Sequence, residues 1–216
     1  MNPCHVCSQI DGDPQHDLIA HLLPGCAYVR RVVVEDAHFA VLPSLGALRP
    51  GHLLICPREH VRSLAALPAA RMIRLQRMVR RVHALLCPAG CGDELLLFEH
   101  GSAADGGRTA CSVDHAHLHA VPVPAGLAGG LLPQLAWQSL ASAPDALART
   151  VGGAEYLLQW RHGGRLRVAL APPGGHPSQA MRRALAERLQ PAPPWNWRDA
   201  PDAGHAHATW ARLAAH

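Results

Sequence analysis

The sequence contains no lysine; all twenty basic residues are arginine. Alanine, glycine and proline are abundant at the same time, so the arginine excess reads as compositional bias, and a nucleic-acid partner is not expected. A formal charge of +4 remains compatible with an anionic substrate. Long apolar runs are also missing, which excludes an expected membrane span. The opening stretch "MNPCHVCSQIDGD" has no basic region followed by an apolar one, so no secretory leader is expected and a cytoplasmic location is. There is no disulfide framework either. The seven cysteines (Cys4, Cys7, Cys26, Cys56, Cys87, Cys91 and Cys111) are odd in number and scattered. Reduced thiols, some of them on a metal, fit that distribution.

The chain does have enough apolar residues, 49% of 216, to bury one sizeable core with an extension behind it. "AYVRRVVVE" (27–35) predicts a β-branched strand, turning at "EDAH" into a second strand, "FAVLP". "HLLICP" predicts a third. "SLAALPAARMIRLQRMVRRVHALLC" predicts a helix with Met72, Leu75, Val79, Val82 and Leu86 on one face and arginines off it. "ELLLFEHG" predicts a fourth strand and "SVDHAHLHAVPV" (112–123) a fifth, stopped by Pro122 and Pro124. Near residue 125 "PAGLAGG" reads as a break. Beyond it the pattern predicts a helix over "LLPQLAWQSLASA", a hairpin turning at Gly163-Gly164, a helix over "HPSQAMRRALAERL" and an aromatic tail. This divides the chain into a core over 1–125 and an extension over 126–216.

Within the fifth strand His115, His117 and His119 alternate, so they share one face, while Ala116, Leu118 and Ala120 share the other. A polar face that happens to be histidine is the bland reading, and three in register argue against it. A three-histidine metal site fails on reach. Strand residues four apart are separated by roughly 13 Å of backbone, while zinc–nitrogen bonds are about 2 Å. The three rings must divide their labour. One division places a nucleophile in the centre, since neutral imidazole both attacks phosphorus and leaves it. A neighbouring ring then binds phosphoryl oxygens or moves a proton. "CHVC" sets Cys4 and Cys7 at metal-ligand spacing. Its redox reading would want a strand ahead of it and a helix starting at it.

"HAHLHAV" resembles the signature of the histidine triad (HIT) family, and "EDAHFAVLPSLGALRPGHLLICPREHVRSL" is similar to that family's N-terminal half. Together they cover about residues 1–125. The resemblance implies an α+β fold: an HIT-like antiparallel sheet with packed helices, here with a C-terminal α/β extension. It implies a nucleotide or nucleotide-conjugate substrate and transfer or hydrolysis of a nucleotidyl group through a covalent nucleotidyl-histidine. His117 matches the nucleophile, His119 the histidine on the phosphate, and Ser112 a serine that supports the phosphoryl oxygens. Zinc-containing members look similar in Cys4, Cys7, His60 and His115, which implies one structural zinc per chain. His5 is second choice as a ligand, because it would crowd its neighbours. A homodimer is also implied, unless the extension covers that surface.

The chain departs from the family pattern at three places. Cys111 stands where many relatives have a glutamine that holds phosphate or leaving group. The loop "LPSLGAL" lacks the acidic residue that contacts ribose, leaving Ser44 nearest. "FEHG" replaces an Asn-Gly pair, so Glu99 and His100 become candidates for polar substrate contacts. Asp114 is read as a surface residue, and Trp195 and Trp197 as packing. Arg182, Arg183 or Arg198 reaching an anionic substrate is the sharper alternative for the extension. Two rival functions remain open at this point. One is a metal-dependent hydrolase using the histidines as open-site ligands; the other is a nucleotide- or partner-binding module without catalysis.

Overall fold

The computed structural model describes residues 4–88, 93–103, 113–127 and 129–214. Its centre is an eight-stranded sheet in which every described pairing is antiparallel. The strands are β1 (Val34–Glu35), β2 (Phe39–Pro43), β3 (Leu53–Pro57), β4 (Asp93–Gly101), β5 (Leu118–Pro124), β6 (Gln138–Ser139), β7 (Tyr156–Arg161) and β8 (Leu166–Leu170). Their spatial order is β1-β2-β3-β5-β4-β7-β8-β6. The helices are α1 (His5–Asp11), α2 (Leu18–Leu22), α3 (Ala69–Leu86), α4 (Ala146–Val151), α5 (Ala180–Ala186) and α6 (Ala203–Leu213). This is an α+β fold, an antiparallel sheet with helices packed on both faces. Among the described residues no helix is long and apolar enough to cross a membrane.

Period-two alternation gives the sheet two apolar faces. Leu53, Ile55, Leu95, Leu97, Leu118 and Ala120 meet Leu75, Met78, Val79 and Val82 of α3 on one side. Leu96, Phe98, Val121 and Val123 meet Met181 and Leu185 of α5 on the other. The apolar alternates of the histidine strand therefore pack toward α3, as their small size suggests. β7 continues the sheet from the free edge of β4, Leu96↔Arg161 through Gly101↔Tyr156. Gly101 is required there, because a Cβ would run into the Tyr156 ring.

Several expected elements are shorter or different. The strand over 27–35 is regular only at Val34–Glu35. Upstream, the Val33 amide donates to the Val41 carbonyl, while Arg30 bonds the Ile10 carbonyl and Glu35, and Arg31 bonds the Val29 carbonyl and His207, so side chains hold most of that segment. The long helix breaks into a 3₁₀ turn at Leu64–Ala66 and α3. Pro68 disfavours a helical residue before it, and Leu67 is extended (φ −75°, ψ 139°). The histidine strand begins only at Leu118, with bends at Val113–His115, and it runs through Pro122. β3 pairs with β5 only as far as Ala120, so at Pro122 no ladder on that side is lost. The helix expected over 131–143 does not form. That segment instead places β6 on the free edge of β8, a tertiary partner that local periodicity cannot show.

Candidate active site

Four ligand atoms of Cys4, Cys7, His60 and His115 all lie within 4.8 Å of one another. Cys4 sits at the start of α1 and Cys7 one turn inside it, while His60 and His115 approach from loops after β3 and before β5. Cys4 Sγ is 3.5 Å from His115 Nδ1, and Cys7 Sγ is 3.4 Å from Nδ1 of both His60 and His115. A tetrahedron with zinc–sulfur bonds near 2.3 Å and zinc–nitrogen bonds near 2.05 Å has sulfur–nitrogen edges of about 3.5 Å, so the donor set fits such an ion. The His115 Nε2–H donates to the Pro57 carbonyl at 2.8 Å, which leaves Nδ1 as the free lone pair and orients the ring. Burial and the adjacent Cys4 thiol push the Cys7 thiol up to about 12. A divalent cation would reverse that. His5 bonds the His16 carbonyl instead and stays outside the cluster.

Beside the cluster lies a cavity of about 640 Å³, a size suited to a small organic ligand. His117 and His119 open into it, each only 8% exposed. The His117 Nδ1–H donates to the His115 carbonyl at 2.8 Å, so its Nε2 lone pair faces the cavity side. A buried chain of bonds fixes His119. The Leu48 amide donates to His52 Nδ1 at 3.1 Å, and the His52 Nε2–H donates to His119 Nδ1 at 2.9 Å. His119 must then carry its proton on Nε2. Phe98 stacks on that ring with centroids 4.5 Å apart. Burial lowers the pKa of His117, and it lowers His52 and His119 further, so all three are neutral near pH 7.

Of the other residues singled out by sequence, Ser44 and His100 also line the cavity. Ser44 is buried and donates to the Leu45 carbonyl. Glu99 does not join them: it alternates with Phe98 and His100 and points toward α3. There it accepts from the Leu64 amide at 2.8 Å and the Tyr156 hydroxyl at 2.5 Å. The substrate contact expected of Glu99 is therefore corrected by the pleat. Cys111 and Ser112 lie outside the described residues. Asp114 pairs with Arg62 at the surface.

The sequence reading missed His52, although it stands in the quoted "GHLLICP" run. Its signal was register: Leu54 lies opposite His119 in the β3–β5 ladder, which brings His52 near it. The extension also reaches the cavity, through Gln179, Met181, Arg182 and Trp197. Arg182 is 3% exposed, with Nε donating to the Trp195 carbonyl and Nη2 to the Gly46 carbonyl.

Residues 28–125 match the HIT domain family model. Among solved structures, the chain is similar to a histidine triad nucleotide-binding protein from Candida albicans. That match is 19% identical, covers 56% of this chain and 76% of that one, and has a TM-score of 0.42. It is also similar to a Zn-bound histidine triad family protein from Mycobacterium smegmatis (22% identical, 57% and 76% covered, TM-score 0.38). A HIT family hydrolase from Clostridium thermocellum is 20% identical, with 56% and 91% covered and a TM-score of 0.38. Comparison with curated proteins finds no match.

Proposed function

We propose, for a chain that carries a HIT domain over residues 28–125, a hydrolase or nucleotidyltransferase that attacks the α-phosphate of a nucleotide conjugate with His117. Family membership supports a nucleotide-directed hydrolase or transferase. The observation that carries the finer reading is the fixed pair of rings in the cavity. His117 has its Nδ1 committed to the His115 carbonyl, and His119 has its Nδ1 committed to His52. One ring thus offers a lone pair, and its neighbour, 4.9 Å away between centroids, offers an N–H. His117 Nε2 attacks phosphorus, and the His119 Nε2–H bonds a phosphoryl oxygen as charge builds on it. The leaving group departs, a nucleotidyl-histidine forms, and water or another acceptor resolves it.

Cys4, Cys7, His60 and His115 would hold one zinc ion as a structural group. When bound, the ion fixes the segment that carries His117. Four protein ligands complete a tetrahedron, which leaves no position for a metal-bound water and weighs against an open-site hydrolase. Residues 1–125 are then the catalytic core, and 126–216 tune substrate choice through the wall they add to the cavity.

Rapid-quench labelling tests this reading. Wild-type protein mixed with α-labelled dinucleoside polyphosphates and nucleoside phosphoramidates should become transiently labelled on His117. His117→Ala should lose both label and turnover by orders of magnitude, with a smaller effect on affinity. Tight binding without turnover or label would favour a binding module instead.

A further inference from the structure

His100 lines the same cavity yet has no part in the steps above. The β4–β5 register places Leu97 opposite Ala120 and Phe98 opposite His119. His117 precedes the first residue of β5, and His100 lies two residues beyond Phe98 on β4, on the face shared by Phe98 and His119. Both imidazoles line the one cavity, and His100 is close enough to His117 to help lower its pKa.

The far side of the His100 ring is held by the extension. His100 Nε2 lies 2.7 Å from Glu155 Oε1, with the two side chains 9% and 14% exposed. Glu155 immediately precedes β7, and the same oxygen accepts the His176 amide at 2.8 Å. An ionised carboxylate only accepts, so the proton of neutral His100 sits on Nε2. Its Nδ1 keeps a lone pair, is buried, and has no hydrogen-bond partner among the described residues. An orphaned buried acceptor in a reaction cavity calls for an incoming donor. Burial lowers the pKa of His100, while Glu155 draws it back up. The lone pair is thus present at neutral pH, and an imidazolium, once formed, has a counter-charge at hand.

We propose that His100, oriented by Glu155, is the general base of the second half-reaction. It deprotonates the water or alcohol that resolves the nucleotidyl-histidine. The acceptor O–H gives its proton to His100 Nδ1, and the oxygen pair forms the new P–O bond. The bond from phosphorus to His117 Nε2 breaks, and its electron pair returns to the imidazole. The proton held by His100 passes to solvent as product leaves. Glu155 acts through His100 and is a positioning residue. This assignment rests on the nucleotidyl-histidine reading given above.

The test follows the label through both halves in wild type, His100→Asn and Glu155→Gln, using the labelled conjugate that wild type turns over. Adduct should form in both variants within a few-fold of the wild-type rate. Its hydrolysis should slow by roughly 10²–10⁴-fold, so labelled protein accumulates. Azide, which has no proton to lose, should discharge the adduct equally fast in all three proteins, a result that a merely structural defect would not give. If His100→Asn fails to fold, Glu155→Gln, which preserves shape, carries the comparison. Adduct in wild type with unchanged hydrolysis in the variants, or equal slowing toward azide and water, overturns the role of His100 alone. Absence of any adduct in wild type overturns the covalent reading and this assignment with it.

Discussion

The Nε2 atom of His52 lies 2.9 Å from Nδ1 of His119, and both rings are buried. Because the Leu48 amide occupies the other nitrogen of His52, the bond runs in one direction only, from His52 to His119. The protonation site of His119 is therefore set by a backbone amide two side chains away. His52→Leu should free the His119 tautomer and leave the Leu48 N–H without an acceptor, costing about 1–3 kcal/mol of stability. Turnover should fall by roughly 10²-fold, and His52→Gln, which retains a donor and an acceptor, should recover part of it. Wild-type kcat/KM in a folded His52→Leu protein would remove this role.

The thiol pair of α1 and the two imidazoles should stand or fall together, since metal binding and folding are coupled. Protein purified without chelator should contain one zinc per chain. The Cys4→Ser, Cys7→Ser double variant should lose it and melt at lower temperature, with activity falling in parallel. Full zinc retention in that variant, by elemental analysis, would reject the site.

How far the sequence revealed this arrangement depended on whether each contact was local. Spacing carried Cys4 and Cys7, and alternation put His115, His117 and His119 on one face, while the resemblance to the HIT family supplied His60, the ligand set and the roles of His117 and His119. His100 was readable as a candidate but Glu99 was not separable from it, since adjacent residues differ only in face and the face is set by the β4–β7 register. Helix α6 carried no pattern that the reading used. It packs Ala203 and Ala206 against Ile19 of α2, a contact between distant segments. The same limit hid Glu155, whose partner His100 lies 55 positions away.

Glu99 gives the fold a pH dependence whose sign is fixed by burial. Its folded pKa is pushed up to about 7, because burial outweighs the bonds from Tyr156 and Leu64 that favour the carboxylate. A carboxyl raised in this way contributes stability that is fully present below its ordinary value of 4.5 and is lost as pH rises through about 7. The difference is on the order of 3 kcal/mol at most. Thermal melts from pH 4.5 to 8 should show wild type losing stability relative to Glu99→Gln as pH rises. Parallel curves would show that Glu99 does not titrate in this window.

Gly46 joins the core to the extension and tolerates no side chain. Its φ is +57°, and an added Cβ would stand 2.8 Å from Trp197 Cα and Cβ and 2.9 Å from the Ala200 carbonyl. Its amide also donates to the Pro201 carbonyl at 2.5 Å. Gly46→Ala should push the segment around Trp197 off the cavity rim, costing roughly 1–3 kcal/mol from the backbone conformation alone. KM should rise more than kcat falls, because the reacting histidines lie on other elements. An unchanged KM in a protein of unchanged melting temperature would contradict that wall.

Arg182 tests whether the extension recognises charge or only closes the cavity. Its guanidinium is buried, and no carboxylate forms an ion pair with it among the described residues; its two described bonds go to carbonyl oxygens. Burial lowers its pKa to about 10, which leaves it cationic at neutral pH. Burial holds His52, His117 and His119 neutral, so this cation supplies positive charge where they do not. A phosphate entering the cavity would gain from it, and a buried charge lacking an anionic partner is costly until that happens. Arg182→Met keeps much of the volume but removes the charge. It should weaken nucleotide binding by roughly 10- to 100-fold, about 1.4–2.8 kcal/mol, while the free protein loses little stability, because relief of the unpaired buried charge offsets the loss of its bonds to the Gly46 and Trp195 carbonyls. Arg182→Lys should restore part of the affinity. Calorimetric titration with a non-hydrolysable nucleotide, paired with melts of the free proteins, separates the two roles. Loss of stability without loss of affinity would make Arg182 a latch on Gly46 and Trp195 and nothing more.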